Sequence, residues 1–366
     1  MSTNINNIYN DSVSLLKELI SIPSISKEES MTARCIYSWL LNKGTLPEYA
    51  GNNVWCKNKY FDNSKQNLLL LSHHDTVRAA KSYTRDPFTP EVVEGKLFGL
   101  GSNDAGGPLV TLMGLFVYLY NHENLPFNLI LCAAAEEEIS GKNGLELALK
   151  SLPEIDFAIV GEPTGMNAAV SEKGLMVCDC ISHGVTGHAA REEGINAITI
   201  AMQDIDWVNS FKFPQESPDL GPVKMTLAMI QGGVKHNVIP ERCEFVIDVR
   251  TTDAYSNNEV LEIMQQNMQS DVKARSTRLQ PSNVSLSNPF IQALHKENIK
   301  TFGSSTMSDQ ALLSCPSVKF SPGESARSHT ADEYIYLSEI ENGLNFFIPF
   351  FDKIVSKSDF NLTSQG

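Results

Sequence analysis

The stretch Asn67-Leu68-Leu69-Leu70-Leu71-Ser72-His73-His74-Asp75-Thr76-Val77 decides the fold. Residues 67–72 form a short apolar block without a polar face, which predicts a strand buried on both sides. The block ends in polar side chains, so its functional end is its carboxyl end. Working outward, residues 109–120 read as a helix, 127–135 as a second buried strand and 139–150 as a second helix. Residues 156–160 read as a third strand, ending at Gly161-Glu162-Pro163. Upstream, Asp11 or Ser12 is placed to cap a helix through Leu15, Leu16, Leu19 and Ile20, which Pro23 stops. Strand, helix, strand, helix, strand predicts an α/β fold with a mostly parallel sheet. Sites in such sheets lie outside the carboxyl ends of the strands.

Five metal-type side chains occur in short segments built to aim them. They are His73, Asp104 in Gly101-Ser102-Asn103-Asp104-Ala105-Gly106-Gly107, Glu138 in Glu136-Glu137-Glu138, Glu162 before Pro163, and His329 in Ser328-His329-Thr330-Ala331-Asp332-Glu333. Imidazole with carboxylate suits Zn²⁺, and His73, Glu138 and Glu162 fall at predicted strand ends. Asp75, two residues after His73 on an extended chain, faces the same way and can accept the His73 ring N–H. His74 points to the opposite side. The small residues around Asp104 permit close approach to an ion, whereas the spacing fails as a nucleotide loop because Asp104 stands where a third glycine belongs. Crowded carboxylates at 136–138 raise one another's pKa toward that of a general base. Each motif alone has a plain structural reading: a strand-end histidine bonded to a turn, a solvated helix start, or Thr330 capping a following helix. All five together point to a two-zinc hydrolase.

Between residues 172 and 284 the texture changes. Strands are predicted at 177–182, 223–230, 243–250 and 273–279, and helices at 195–208 and 258–268, with no ligand-rich motif. This reads as an inserted α+β domain of residues 172–284. Residues 1–171 and 285–366 then make one catalytic domain, because His329 lies beyond the insert. Cys178 and Cys180 share one face of a strand and read as core residues.

A chain of 366 residues fits about two domains, and 42% hydrophobic residues allow a sizeable core. Asp and Glu outnumber Lys and Arg, 43 to 29, for a net charge of −14, which argues against nucleic acid or an anionic membrane as partner. No basic n-region or apolar leader opens the chain, and seven cysteines without paired spacing favour reduced thiols, so a cytoplasmic location is expected.

In these motifs and their order, the chain resembles the M20 family of metallopeptidases and amidohydrolases. The resemblance implies two Zn²⁺ ions, for which Co²⁺ can substitute, bridged by Asp104. His73 and Glu162 would hold one ion, Glu138 and His329 the other. Glu137 would be the general base, with Asp75 orienting His73. A cis peptide at Asp104–Ala105 is expected, although Gly106 stands where the family commonly has Lys. A shift of one residue within 136–138 would exchange base and ligand; the spacing to Gly144 favours the register given. The insert resembles the family's lid and dimerisation domain, implying a homodimer. His188, in Gly187-His188-Ala189-Ala190, would stabilise an oxyanion in the partner subunit, and Asn237 and Arg250 would grip a substrate carboxylate, with Arg327 a second candidate. The implied substrate is a small N-acyl amino acid, foremost N2-acetylornithine, with N-acetylcitrulline or N-succinylornithine beside it, in arginine biosynthesis. Alternatives are succinyl-diaminopimelate desuccinylase and dipeptidase activity. A non-catalytic binding protein is expected to have lost Glu137 or a ligand; all are present.

Overall fold

A computed structural model describes residues 5–191, 193–357 and 360–363, which form two compact units. The first comprises the described residues up to Val170, Val284–Phe302 and those from Ser308 onward; the second comprises Ser171–Asn283 with Gly303–Met307.

In the first unit the sheet runs in the order Glu48–Ala50, Asn53–Lys57, Asn128–Ala134, Asn67–His73, Phe157–Gly161, Ser317–Lys319. Asn67–His73 pairs parallel with both neighbours, and Ser317–Lys319 extends the parallel run, while Asn53–Lys57 pairs antiparallel. The leucine block is central for the reason its composition implies. Leu68 and Leu70 enter the core formed with helices Ile5–Ile20, Gly107–Leu119 and Leu337–Val355. Leu69 and Leu71 enter a smaller core with Ile130, Cys132, Leu145 and Ala148 on the opposite face. Both faces being covered, neither needs polar side chains. Among the described residues no helix is long and apolar enough to cross a membrane.

Two local expectations are corrected. The helix expected at 139–150 is reduced to a 3₁₀ turn, Glu137–Ile139, and the single α-turn Leu145–Ala148. Glu136 and Ser140 adopt φ of 54° and 47°, which breaks helical continuity. Gly144 then lies so close to the strand end that a Cβ there would sit 2.1 Å from the Ala135 carbonyl oxygen. Ser12 caps nothing: it lies within the longer helix Ile5–Ile20, fully buried, and donates to the Val110 carbonyl at 3.1 Å.

The second unit has an antiparallel sheet in the order Lys224–Gly232, Arg242–Thr251, Gly174–His183, Asp271–Ala274. Helix Ala197–Ser210 is capped by Asn196 and helix Asn257–Asn267 by a Ser256–Glu259 capping box. Cys178 and Cys180 lie in its core with Met176, Phe245 and Ile247. Its last strand stops at Ala274, short of the expected 279.

Leu70 is fully buried at the centre of the main sheet. Leu70→Ala is expected to cost about 2–5 kcal/mol, read as a lowered midpoint in denaturant unfolding.

Candidate metal centre

The parallel register assembles the site. His73 pairs with Ala134, two residues before Glu136, and Ser72 pairs with Gly161, which precedes Glu162. Three strand ends thereby deliver His73, the 136–138 turn and Glu162 to one place. The two remaining ligand candidates arrive on loops. His73 Nε2 lies 3.3 Å from Asp104 Oδ1, 3.8 Å from Glu162 Oε1 and 3.9 Å from Glu137 Oε2. His329 Nε2 lies 2.9 Å from Glu138 Oε2 and 3.7 Å from Asp104 Oδ2. The two oxygens of Asp104 therefore face two different histidines. Two ligands on one tetrahedral ion at zinc distances stand about 3.4 Å apart, so these separations fit a pair of divalent ions sharing Asp104. Ligand atoms of His73, Asp104 and Glu138, and of His73, Glu137 and Glu162, lie within 4.8 Å of one another.

Electrostatics agree with the donor set. Burial, joined by repulsion from Asp104 and Glu138, pushes Glu162 from 4.5 to about 8 despite His73. Burial likewise holds Glu137 well above the carboxylate range, with Glu162 and Glu138 adding to it. A hydrogen bond to Glu138 raises His329 to about 9. Burial opposes charge on His73, yet Glu137 and Asp104 carry it well above its ordinary value. Such a cluster of anions, which Lys319 and the two histidines offset only in part, is suited to divalent cations.

The loops that carry these groups are held by other carboxylates. The peptide Asp104–Ala105 is cis. Glu333, 2% exposed, accepts the backbone N–H of Gly101 at 2.9 Å and those of Asn103 and Asp104 at 2.8 Å each. The sequence reading gave Glu333 no role; its only signal was an acidic pair just after His329. Gly106 has no room for a side chain, since a Cβ would sit 2.4 Å from the Gly101 carbonyl oxygen and 2.6 Å from Leu16. Thr330 caps no helix: its hydroxyl donates to the Arg327 carbonyl at 2.8 Å, and strand Tyr334–Tyr336 intervenes before the next helix.

Asp75 meets His73 as expected and also holds the neighbouring turn. His73 Nδ1 is 3.0 Å from the Asp75 backbone carbonyl and 3.5 Å from Oδ1 of its carboxylate, so the carbonyl is the nearer acceptor for the ring proton. The carboxylate also accepts the N–H groups of Glu137 (3.0 Å) and Glu138 (3.2 Å) and the Ser26 hydroxyl (2.7 Å). His74 turns away from the cluster to Thr32 and the Asn52 carbonyl, and burial lowers it to about 4, so it is neutral. Glu136 also turns away, accepting Asn143 Nδ2 at 3.0 Å. That leaves Glu137 and Glu138 for the site.

The other named residues lie elsewhere. Arg327 is committed to Glu339 and the Tyr334 carbonyl and stacks on Tyr334 and Tyr336; the structure does not bring it free to a substrate. His188, Asn237 and Arg250 belong to the second unit. There strand Gly187–His188 pairs with Val238–Ile239, and the Ala189 N–H donates to the Asn237 carbonyl at 3.2 Å. Arg250 pairs with Asp248 at 2.8 Å.

Residues 170–275 match the peptidase dimerisation domain of M20. The chain carries an M20 peptidase dimerisation domain. It is 27% identical to an acetylornithine deacetylase of Proteus mirabilis, across 90% of this chain and 93% of that one. It is 25% identical to a [LysW]-lysine/[LysW]-ornithine hydrolase of Saccharolobus islandicus, across 94% and 96%. Its fold resembles an M20 family metallo-carboxypeptidase of Sulfolobus solfataricus (TM-score 0.70, 15% identity, 93% of this chain and 98% of that chain). It also resembles a dinuclear metal-binding M20 peptidase of Bacillus subtilis (TM-score 0.71, 14% identity, 96% and 99%). Over nine-tenths of its length the chain is thus similar to hydrolases of these kinds.

Groups whose folded pKa is raised bind protons more readily in the folded than in the unfolded chain, so they lose stabilising effect as pH rises. Glu162, shifted from 4.5 to about 8, and His329, shifted from 6.5 to about 9, act in the same direction. The metal-free protein is therefore expected to lose melting temperature from about pH 6 to about pH 9, and saturating Zn²⁺ to restore it. A metal-free melting temperature that stays level or climbs over that range would contradict the convergence of charges described above.

Proposed function

We propose that this protein hydrolyses the N-acyl amide of a small acylated amino acid, foremost N2-acetylornithine, as a two-zinc enzyme of arginine biosynthesis in the cytoplasm. The observation that carries the reading is the pair of histidines facing opposite oxygens of Asp104, with Glu137 beside them. No hydrogen bond among the described residues engages the Glu137 carboxylate, and its pKa is raised toward that of a general base. In this assignment His73, Glu162 and Asp104 would hold one ion, and Glu138, His329 and Asp104 the other. When bound, the ions supply Lewis acidity that activates water and polarises the amide carbonyl.

The chain's own residues do the remaining work. Glu137 takes a proton from the attacking water and returns it to the departing amine nitrogen. Asp75 fixes His73 through its carbonyl and the 136–138 turn through its carboxylate. In the second unit, His188 is assigned to the developing oxyanion of a partner subunit in a homodimer. Arg250 and Asn237 are assigned to the substrate α-carboxylate, for which a guanidinium offers two parallel donors. Ornithine is supported as the amine because it appears in the names of both relatives.

The test is amine release from N-acetylornithine, N-acetylcitrulline, N-succinylornithine and N-succinyl-diaminopimelate by zinc-loaded protein, with a chelated control. Chelator-sensitive turnover of an ornithine or citrulline derivative is expected; preference for the diaminopimelate compound would move the protein to lysine synthesis. If none turns over, dipeptides are the next substrates. Glu137→Gln should lose about 10²–10⁴-fold in kcat with metal content unchanged, and full activity in that variant would remove Glu137 as the base. Arg250→Ala should raise KM more than it lowers kcat, measured by initial rates across substrate concentration.

A further inference from the structure

Four successive backbone N–H groups enter the turn that bears Glu137 and Glu138, and each donates to a side chain rather than to the sheet. Ala135 donates to Asn53 Oδ1 (2.9 Å), Glu136 to Glu29 Oε1 (3.2 Å), and Glu137 and Glu138 to the two oxygens of Asp75 (3.0 and 3.2 Å). Glu136 is the residue where the chain leaves the strand at φ 54°, a conformation unfavourable for a side-chain-bearing residue. Its side chain turns away to Asn143, while those of Glu137 and Glu138 face the two histidines. The acceptor for the Glu136 N–H, Glu29, is fully buried and comes from a distant part of the chain, just before helix Ser30–Asn42.

Glu29 is itself held firmly. Its Oε1 also accepts the N–H of Lys27, and its Oε2 accepts Asn52 Nδ2 at 3.0 Å. The segment before it is laced to Asp75: Ser26 donates to the Asp75 carboxylate, and Thr76 N–H donates to the Ser24 carbonyl at 2.9 Å. Asn52 offers its carbonyl to His74 Nε2 at 3.0 Å. The two carboxylates that receive the turn, Glu29 and Asp75, thus belong to one hydrogen-bonded patch. A buried carboxylate that accepts several N–H groups is a strong geometric anchor, and outer residues of this kind orient metal ligands.

We infer that Glu29 is a positioning residue for the metal centre, fixing the rotation of the 136–138 turn so that Glu138 reaches the metal and Glu137 the attacking water. This rests on the two-metal reading above. Glu29 touches neither substrate nor ion in this role; it acts through the backbone of Glu136.

The experiment uses the full chain loaded with Co²⁺, whose visible bands report ligand geometry, together with zinc-loaded kinetics. Glu29→Ala should change the cobalt bands and lower kcat about 10–100-fold per folded molecule, with KM within about twofold, since substrate contacts are untouched. Glu29→Gln should recover most of both, because its amide oxygen can still accept the Glu136 N–H while the Asn52 amide turns to match. Leu40→Ala, a buried change in the helix after Glu29, is the control for lost stability and should leave the cobalt bands as they are. Should Glu29→Ala not fold, Asn52→Ala is read in its place, with the same direction of change. Unaltered cobalt bands and kcat in the variant would overturn the inference. A parent protein that binds no metal would instead overturn the two-metal reading, and one that binds cobalt but turns over no substrate leaves the bands to decide Glu29.

Discussion

Carboxylates brought together in a partly buried space repel, and the first unit is arranged around that repulsion. At 4 Å and an intermediate dielectric, two unit charges interact by about 4 kcal/mol. Asp104, Glu137, Glu138 and Glu162 all crowd around two imidazoles. The parallel sheet forces this meeting, because adjacent strands ending in register must place their next residues side by side. Glu162 near 8 and His329 near 9 are two signs of the same imbalance. A pair of divalent ions is the simplest charge that relieves it.

Holding such loops in place requires acceptors for backbone N–H groups that leave the sheet without a partner. The protein meets this with a second layer of acids. Glu333 accepts three N–H groups of the loop bearing Asp104. Asp75 accepts two from the turn bearing Glu137 and Glu138, and Glu29 accepts one more. Acids facing the candidate metal centre and acids behind it therefore differ in their partners. Among the inner ones, Asp104 and Glu138 face the two histidines, while the outer ones accept backbone N–H groups.

Much of this architecture was legible from local pattern. The leucine run at 67–72 and the apolar run at 127–135 announced buried strands because burial on both faces leaves no room for polar alternation. The six side chains that converge were all named from motif and strand end. What escaped notice were residues whose partners are far away in sequence. Glu29 and Glu136 are 107 positions apart, and Gly101 and Glu333 are 232 apart; no spacing rule links them. The helix expected at 139–150 failed for a related reason. Its composition suits a helix, but positive φ at Glu136 and Ser140 and the close packing of Gly144 on Ala135 prevent one.

The sequence by itself determined the chemical inventory: which donors occur, in what order, and at the ends of which strands, because strand periodicity and ligand identity are local properties. Only the tertiary structure decided how those donors are shared. It turned Glu136 away to Asn143, assigned the two oxygens of Asp104 to different histidines, and set His73 Nδ1 against both the carbonyl and the carboxylate of Asp75. It also committed Arg327 to Glu339. Each of these depends on side-chain rotation and backbone dihedrals set by contacts across the fold, which neighbours along the chain do not specify.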